Sequence, residues 1–309
     1  MELYFLGTGA GMPSRKRNVT SVALNLMPER GTFWLFDAGE GTQHQMLCSP
    51  LKPGRMEFVF VTHLHGDHLY GLPGMLSSRS YQGGESPLTV FGPPGIKRYL
   101  DMTLEISDTH LIYDILVREI EEEGVVFEDD QFTVTALRLE HRIESFGYRV
   151  AERDIPGALD SARLSRDGVP PGPVYARLKR GETVTLPDGR VINGADYVSA
   201  PAKGRTVAIF GDTRPCPGEL ELARGCDVIV HEATFKHDRL DKAVAYYHTT
   251  AAQAAELALK AGAGSLILSH LSSRYQDEQV HELLEEARAI FPQSHVAEDF
   301  WSFPIPRST

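Results

Sequence analysis

Cysteine is scarce in this chain of 309 residues: Cys48, Cys216 and Cys226 are the only three, and no two are spaced as CxxC. An odd, scattered set cannot close a disulfide framework, so free thiols in a reducing compartment are expected. Long apolar runs are missing too. No stretch approaches the roughly 18–20 residues of a membrane span. The opening Met-Glu-Leu-Tyr reaches Arg15-Lys16-Arg17 without the apolar segment of a secretory signal. These absences point to a cytoplasmic protein with no membrane partner. Positive charge is also short: 31 basic residues against 42 acidic ones leave a net charge of −11. Taken over the whole chain, that balance argues against nucleic acid as a partner.

What is present is the make-up of an ordinary folded protein, 42% apolar and 24% charged. That supports a sizeable core and excludes disordered or fibrous classes. Short runs rich in β-branched and aromatic residues recur, each closed by Gly, Asp or His. They are Leu3–Leu6, Val22–Met27, Phe33–Phe36, Phe58–Val61, Phe132–Leu139, Val207–Phe210, Val228–Val230 and Leu266–Leu268. Helical periodicity covers 67–80, 94–105, 250–262 and 276–290, the third opening on the capping-box spacing Thr250-Ala-Ala-Gln253. Strands interspersed with helices indicate α/β or α+β layering. The length admits two domains, or one large domain with an insertion.

Residues 151–200 interrupt this rhythm. They hold Pro156, Pro170, Pro171, Pro173, Pro187 and six glycines, with no clear core pattern. Seven basic and seven acidic residues make the segment neutral, so the rest of the chain carries the whole −11. It reads as an insertion protruding from a single domain spanning 1–309, and loops of this length are usually functional or mobile.

The strongest local signal is Thr62-His63-Leu64-His65-Gly66-Asp67-His68. On an extended strand end, His63 and His65 project to the same side. Gly66 then lets the chain turn, and Asp67 and His68 open a helix. Four ligand-type side chains within six residues suit Zn²⁺, with Mn²⁺ or iron as alternatives. Further ligand-type residues follow apolar runs at Glu140-His141, Gly211-Asp212 and Ser269-His270. A hydrolytic centre would need two ions, open positions and a bridging carboxylate.

This set, HxHxDH at a strand–helix junction followed by strand-end His, Asp and His, resembles the metallo-β-lactamase superfamily. The resemblance implies an αβ/βα sandwich carrying two zinc ions per subunit, with Mn²⁺ or another divalent ion as a substitute. By position, His63, His65 and His141 would hold one ion. Asp67, His68 and His270 would hold the other, with Asp212 between them.

Over essentially the whole chain the sequence is similar to the ribonuclease Z family of tRNA 3′-processing endonucleases. The matching segments are Phe5-Leu-Gly-Thr-Gly9, Phe127-Glu-Asp-Asp130, His231-Glu-Ala-Thr234 and Tyr247-His-Thr-Thr250. Pro13–Asn18 resembles the family's PxKxRN loop, with Arg15 in the Lys place and therefore a different hydrogen-bonding geometry. Thr249 stands where the family's HST motif has Ser. The implied reaction is attack of metal-activated hydroxide on a phosphodiester, releasing the 3′ trailer of precursor tRNA. Asp67 would orient the nucleophile, His248 would serve as general acid, and Glu232 would be its partner. RNA contacts are expected at Arg15, Arg17, Asn18 and Arg274, and in the insertion at Arg177, Lys179 and Arg180. The family also implies a homodimer in which one subunit's insertion, a flexible arm, grips tRNA presented to the other's metals. These local basic groups narrow the meaning of −11 to weak sequence-independent RNA affinity.

Two other functions fit parts of the pattern. Glyoxalase II-type thioesterases, lactonases and arylsulfatase-like hydrolases share the metal motif without needing the basic N-terminal loop. A non-catalytic RNA-binding subunit could retain the fold, but all seven ligand positions here carry His or Asp.

Overall fold

The computed structural model describes residues 1–307, which divide into two compact units: Met1–Ala151 with Thr206–Pro306, and a second built on Glu152–Arg205.

The larger unit contains two seven-stranded sheets. The first orders its strands as Ser302–Pro304, Glu2–Gly7, Ser21–Leu26, Thr32–Phe36, Met56–Phe60, Leu88–Gly92 and Ile115–Glu119. The second runs Ser294–Val296, Ser265–Ser269, Val228–Glu232, Thr206–Phe210, Ser145–Glu152, Phe132–Leu139 and Gly124–Glu128. Period-two alternation decides what each strand contributes to either face. Trp34, Phe36, Phe58 and Phe60 join Phe132, Phe146, Tyr148, Ile209 and Ile267 in one core between the sheets. Phe60 stacks on Phe36 at 5.0 Å and on Phe91 at 4.9 Å. The intervening Phe33, Leu35, Val59 and Val61 pack outward with Leu72, Met75, Leu76 and Leu100 of the covering helices. On the second sheet, Ala208, Ile229, Leu266 and Leu268 meet an alanine-rich face, Ala251, Ala254, Ala255 and Ala258. Small side chains there let the helix Ala251–Ala261 lie close to the sheet. The result is the helix–sheet–sheet–helix layering expected from the resemblance.

The capping box forms as anticipated: Gln253 N–H donates to Thr250 Oγ1, and Thr250 N–H donates to Gln253 Oε1. Two expectations are corrected. The helix expected over 67–80 is two helices, Gly66–Leu69 and Leu72–Tyr81, because Pro73 starts a new one and Gly71 gives its N–H to the Ala38 carbonyl. The first-sheet strand stops at Leu26, where Met27-Pro28 begins a short helix.

The second unit also departs from the sequence pattern. Leu164, Val169, Leu178, Val184, Leu186 and Ile192 form a small core of their own. They come from the helices Ser161–Arg166 and Pro173–Lys179 and the hairpin Thr183–Thr185/Val191–Asn193. Its two ends are tied by a buried ion pair, with Arg205 Nε 2.7 Å and Nη2 2.8 Å from the two oxygens of Glu152.

Candidate metal centre and acid–base pair

The strand ends named from sequence converge. Met56–Phe60 leads to His63 and His65, and the following short helix carries Asp67 and His68. Phe132–Leu139 leads to His141, Thr206–Phe210 to Asp212, and Ser265–Ser269 to His270. Asp212 faces both groups at once. Its Oδ2 lies 3.7 Å from His63 Nε2 and 4.0 Å from His141 Nε2, while Oδ1 lies 3.4 Å from His68 Nε2 and 3.3 Å from His270 Nε2. His65 Nδ1 is 3.3 Å from His141 Nε2, and Asp67 Oδ2 is 3.3 Å from His270 Nε2. The turn into Asp212 depends on Gly211, since a Cβ there would sit 2.7 Å from Ser145 Oγ and Thr62 Cβ.

Several neighbours fix which ring nitrogen points inward. Asp37 Oδ2 accepts from His68 Nδ1 at 2.7 Å and from Thr62 Oγ1 at 2.8 Å. The Tyr247 carbonyl accepts from His141 Nδ1 at 2.8 Å, and Thr234 Oγ1 accepts from His270 Nδ1 at 2.9 Å. Thr62 and Thr234 lie in motifs read from the sequence but were given no role there, and Asp37 was not singled out. Asp37 ends an apolar run, a signal used at the other strand ends but not at this one. Asp37, Tyr247 and His270 are three of the five described non-glycine residues with positive φ, at 58°, 62° and 54°. Strain of this kind, about 1–3 kcal/mol each, persists where surrounding contacts hold it.

The donor set fits a divalent metal. Ligands about 2.1 Å from a tetrahedral ion lie about 3.4 Å apart, close to the spacings above. His63 Nε2 is buried with no hydrogen-bond partner while Thr62 Oγ1 occupies Nδ1 at 3.0 Å, which leaves a lone pair facing the cluster. Burial and neighbouring imidazoles hold His63, His65 and His141 below the ordinary histidine range, the neutral form a ligand requires.

Beside this cluster stands the predicted pair. Glu232 is buried at a strand end, and its Oε1 accepts from His248 Nδ1 at 2.9 Å and from Thr213 N–H at 2.9 Å. Its Oε2 accepts from Thr234 Oγ1 at 2.6 Å. His248 Nδ1 lies 3.9 Å from Asp212 Oδ2. Burial opposes a charge on His248, but Glu232 and then Asp212 outweigh it and push its pKa up to about 9. Thr249 keeps a hydroxyl role in place of Ser, donating to the Thr213 carbonyl at 2.7 Å.

An open cleft of about 370 Å³ is lined by His65, Asp67, His141, Asp212, His248 and His270, with Arg142 and Arg274 on its wall. The other proposed RNA contacts divide. Arg15 is exposed, but Arg17 Nη1 donates to Thr8 Oγ1 and the Ala297 carbonyl. Asn18 N–H donates to Asp299 and its side-chain amide to the Glu40 carbonyl. Arg17 and Asn18 therefore anchor the N-terminal loop. Arg177, Lys179 and Arg180 lie in the second unit, where Arg177 and Arg180 both pair with Glu182. The Phe127–Asp130 motif is spent on packing: Phe127 meets Phe58 at 4.6 Å, and Asp129 pairs with Arg30.

Among solved structures, the chain superposes on the metallo-β-lactamase fold protein YhfI of Bacillus subtilis with a TM-score of 0.68 at 16% identity, over 98% of this chain and 99% of that one. A family model described as Anti-Pycsar protein Apyc1 matches residues 1–151. The likeness to YhfI shows the metallo-β-lactamase fold, and the His/Asp cluster sits at its strand ends. The chain is also similar to human tRNase Z, short form, with a TM-score of 0.73 at 31% identity over 99% of this chain and 100% of that one. It is 58% identical over 308 residues to Ribonuclease Z of Bacillus licheniformis, covering 100% of each chain. The chain belongs to the ribonuclease Z family, and it is an endoribonuclease, a hydrolase of phosphodiester bonds. The thioesterase and non-catalytic alternatives are set aside.

Proposed function

We propose that the protein removes the 3′ trailer from precursor tRNA, leaving a 3′-hydroxyl on the tRNA and a 5′-phosphate on the trailer. The observation that carries this reading is the His248–Glu232 pair, 2.9 Å apart, set against a cluster with seven ligand-type side chains. A protonated imidazole held in place by a carboxylate supplies the proton that a departing ribose oxygen needs.

We assign His63, His65 and His141 to one ion, Asp67, His68 and His270 to a second, and Asp212 to both, with zinc as the metal in each subunit. Bound ions would lower the pKa of water and counter charge on the phosphoryl oxygens. Asp67, held toward the cleft by the Gly11 N–H at 2.7 Å, orients the attacking water and takes its proton. Glu232 holds Nδ1–H of His248, so Nε2 presents the proton that the leaving 3′-oxygen of the tRNA receives. Glu232 itself, buried and accepting from Thr213, Thr234 and His248, stays ionised and keeps the imidazole oriented.

Family membership supports the rest of the reading: a homodimer in the cytoplasm, in which the arm at about 151–200 takes hold of tRNA through Arg177, Lys179 and Arg180. Three free cysteines agree with a reducing compartment, and no helix among the described residues is long and apolar enough to cross a membrane. The test is incubation of the purified protein with a 3′-extended precursor tRNA, with and without chelator. Cleavage beside the discriminator nucleotide that stops on chelation is expected, and intact RNA in both lanes overturns the proposal.

A further inference from the structure

One wall of the cleft is a ladder of alternating charge and ring. The Arg142 guanidinium lies over Tyr246, 5.1 Å from the ring centroid. Tyr246 stacks on Phe235 at 6.4 Å with an interplanar angle of 18°. The far side of the ladder is Arg274, whose guanidinium lies 5.1 Å from the Phe235 centroid. All four residues line the same cleft as His141 and His248, and Phe235 is 6.0 Å from the His248 ring. Arg274 was expected from its place just after the strand end at His270; neither Arg142 nor the aromatic pair was marked by any sequence pattern.

The way Arg142 is held matters for its chemistry. Its near neighbours in sequence and space neutralise themselves: Arg138 pairs with Glu144 and Arg214 with Glu140. Among the described residues, Arg142 has no carboxylate partner, and its one hydrogen bond is from Nη2 to the Ala245 carbonyl at 3.2 Å. It is exposed. An arginine ordered by an aromatic face keeps its charge uncompensated and most of its N–H donors free, whereas one ordered by a carboxylate has both engaged. A planar fork of that kind matches a phosphate in bidentate fashion. In a chain of net charge −11, such a group beside the acid–base pair is placed for a polyanion, and a small neutral ester would make no use of it.

We propose that Arg142, positioned by Tyr246, grips a backbone phosphate of the RNA next to the scissile one and so helps set its register in the cleft. The proposal rests on the RNA-cleavage reading above, and the experiment separates the two. Wild-type protein, Arg142→Ala, Arg142→Lys and Tyr246→Leu are assayed on a 3′-extended precursor tRNA across a salt series, with thermal melting as the folding control. A second substrate set carries a neutral methylphosphonate at each phosphate flanking the cut, one at a time. Absence of RNA cleavage by the wild type refutes the underlying reading.

Given wild-type cleavage, Arg142→Ala should lower kcat/KM by about tenfold, chiefly through KM. The slope of log kcat/KM against log salt should shrink by about 0.7, the signature of one lost contact to a single-stranded phosphate. Arg142→Lys should recover the slope but only part of the rate, and Tyr246→Leu should fall between. One methylphosphonate should impair the wild type and cost Arg142→Ala nothing further. A folded Arg142→Ala protein with wild-type kcat/KM and salt slope, or one equally sensitive to every methylphosphonate, overturns the proposal.

Discussion

Asp37 accepts the Nδ1–H of His68 at 2.7 Å, and the same carboxylate oxygen accepts the Thr62 hydroxyl at 2.8 Å. Thr62 Oγ1 in turn lies 3.0 Å from His63 Nδ1, so one buried carboxylate braces a residue from each proposed ligand set. Its other oxygen takes the Thr62 N–H at 2.7 Å. An amide in its place cannot accept on both sides.

Asp37→Asn is therefore expected to weaken metal binding by about 10- to 100-fold, the usual cost of losing a partner to a ligating histidine. Competition against a chromogenic chelator measures this directly. Unchanged metal affinity would show that His68 needs no brace.

His248→Ala should lower kcat on precursor tRNA by about 10²- to 10⁴-fold while metal content stays at the wild-type level. Glu232→Gln acts through the same proton and should show a smaller loss, and the double variant should be no worse than His248→Ala alone. Near-normal turnover by metal-replete His248→Ala would sink the acid assignment.

The pH dependence has a definite sign. Glu232 favours protonated His248, whose pKa stands at about 9. Activity that depends on the protonated imidazole is present below that value and lost as pH rises through it. Removing the Glu232 charge lowers the pKa, so the alkaline limb of the kcat–pH profile in Glu232→Gln should move to lower pH. A limb that stays in place, or moves upward, contradicts the pairing.

His231, in the same motif as Glu232, has a structural task. It is fully buried and its Nε2 lies 2.9 Å from Glu219 Oε1. Burial disfavours its charge, but the Glu219 carboxylate raises its pKa above the ordinary value. The proton is held more tightly in the folded state, so this contribution is complete below about pH 6.5 and fades as pH rises through the folded value. His231→Ala should cost about 3–5 kcal/mol by stranding Glu219. Urea unfolding at several pH values checks both, and a stability gap that widened with rising pH would contradict the assignment.

Deleting most of residues 155–195 should weaken precursor-tRNA processing but leave hydrolysis of a small chromogenic phosphodiester nearly intact. The residues removed include the separate small core around Leu164, Leu178 and Val184. Parallel loss of both activities would count against a role confined to RNA binding.

Much of the site was legible because many of its ligand-type side chains sit just past the ends of strands. Apolar runs ending in His63, His141, Asp212 and His270 therefore betray themselves along the chain. Asp37 follows the same rule after Phe33–Phe36 as Asp212 does after Val207–Phe210, and residue type alone does not separate a carboxylate that braces a histidine from one that faces the cluster. Thr234 lies in the His231–Thr234 motif, but the motif does not say what its hydroxyl does, since a threonine hydroxyl is as common on a surface as beneath a histidine. Likewise, Arg17 and Arg142 look alike as basic residues. Only packing turns the first inward to Thr8 and Ala297 and leaves the second stacked on Tyr246.

By itself, the sequence determined the layered architecture, through period-two alternation in its strands, and the identity of the seven ligand-type side chains, through their spacing at strand ends. The tertiary structure decided how those ends meet. Asp212 came to face two groups with its two oxygens, and the imidazoles of His63, His68, His141 and His270 each received a partner that frees the other nitrogen. The reason is physical: ligand chemistry is a property of residue type and local spacing, whereas orientation depends on second partners that are distant in sequence and close only once the sheets have packed.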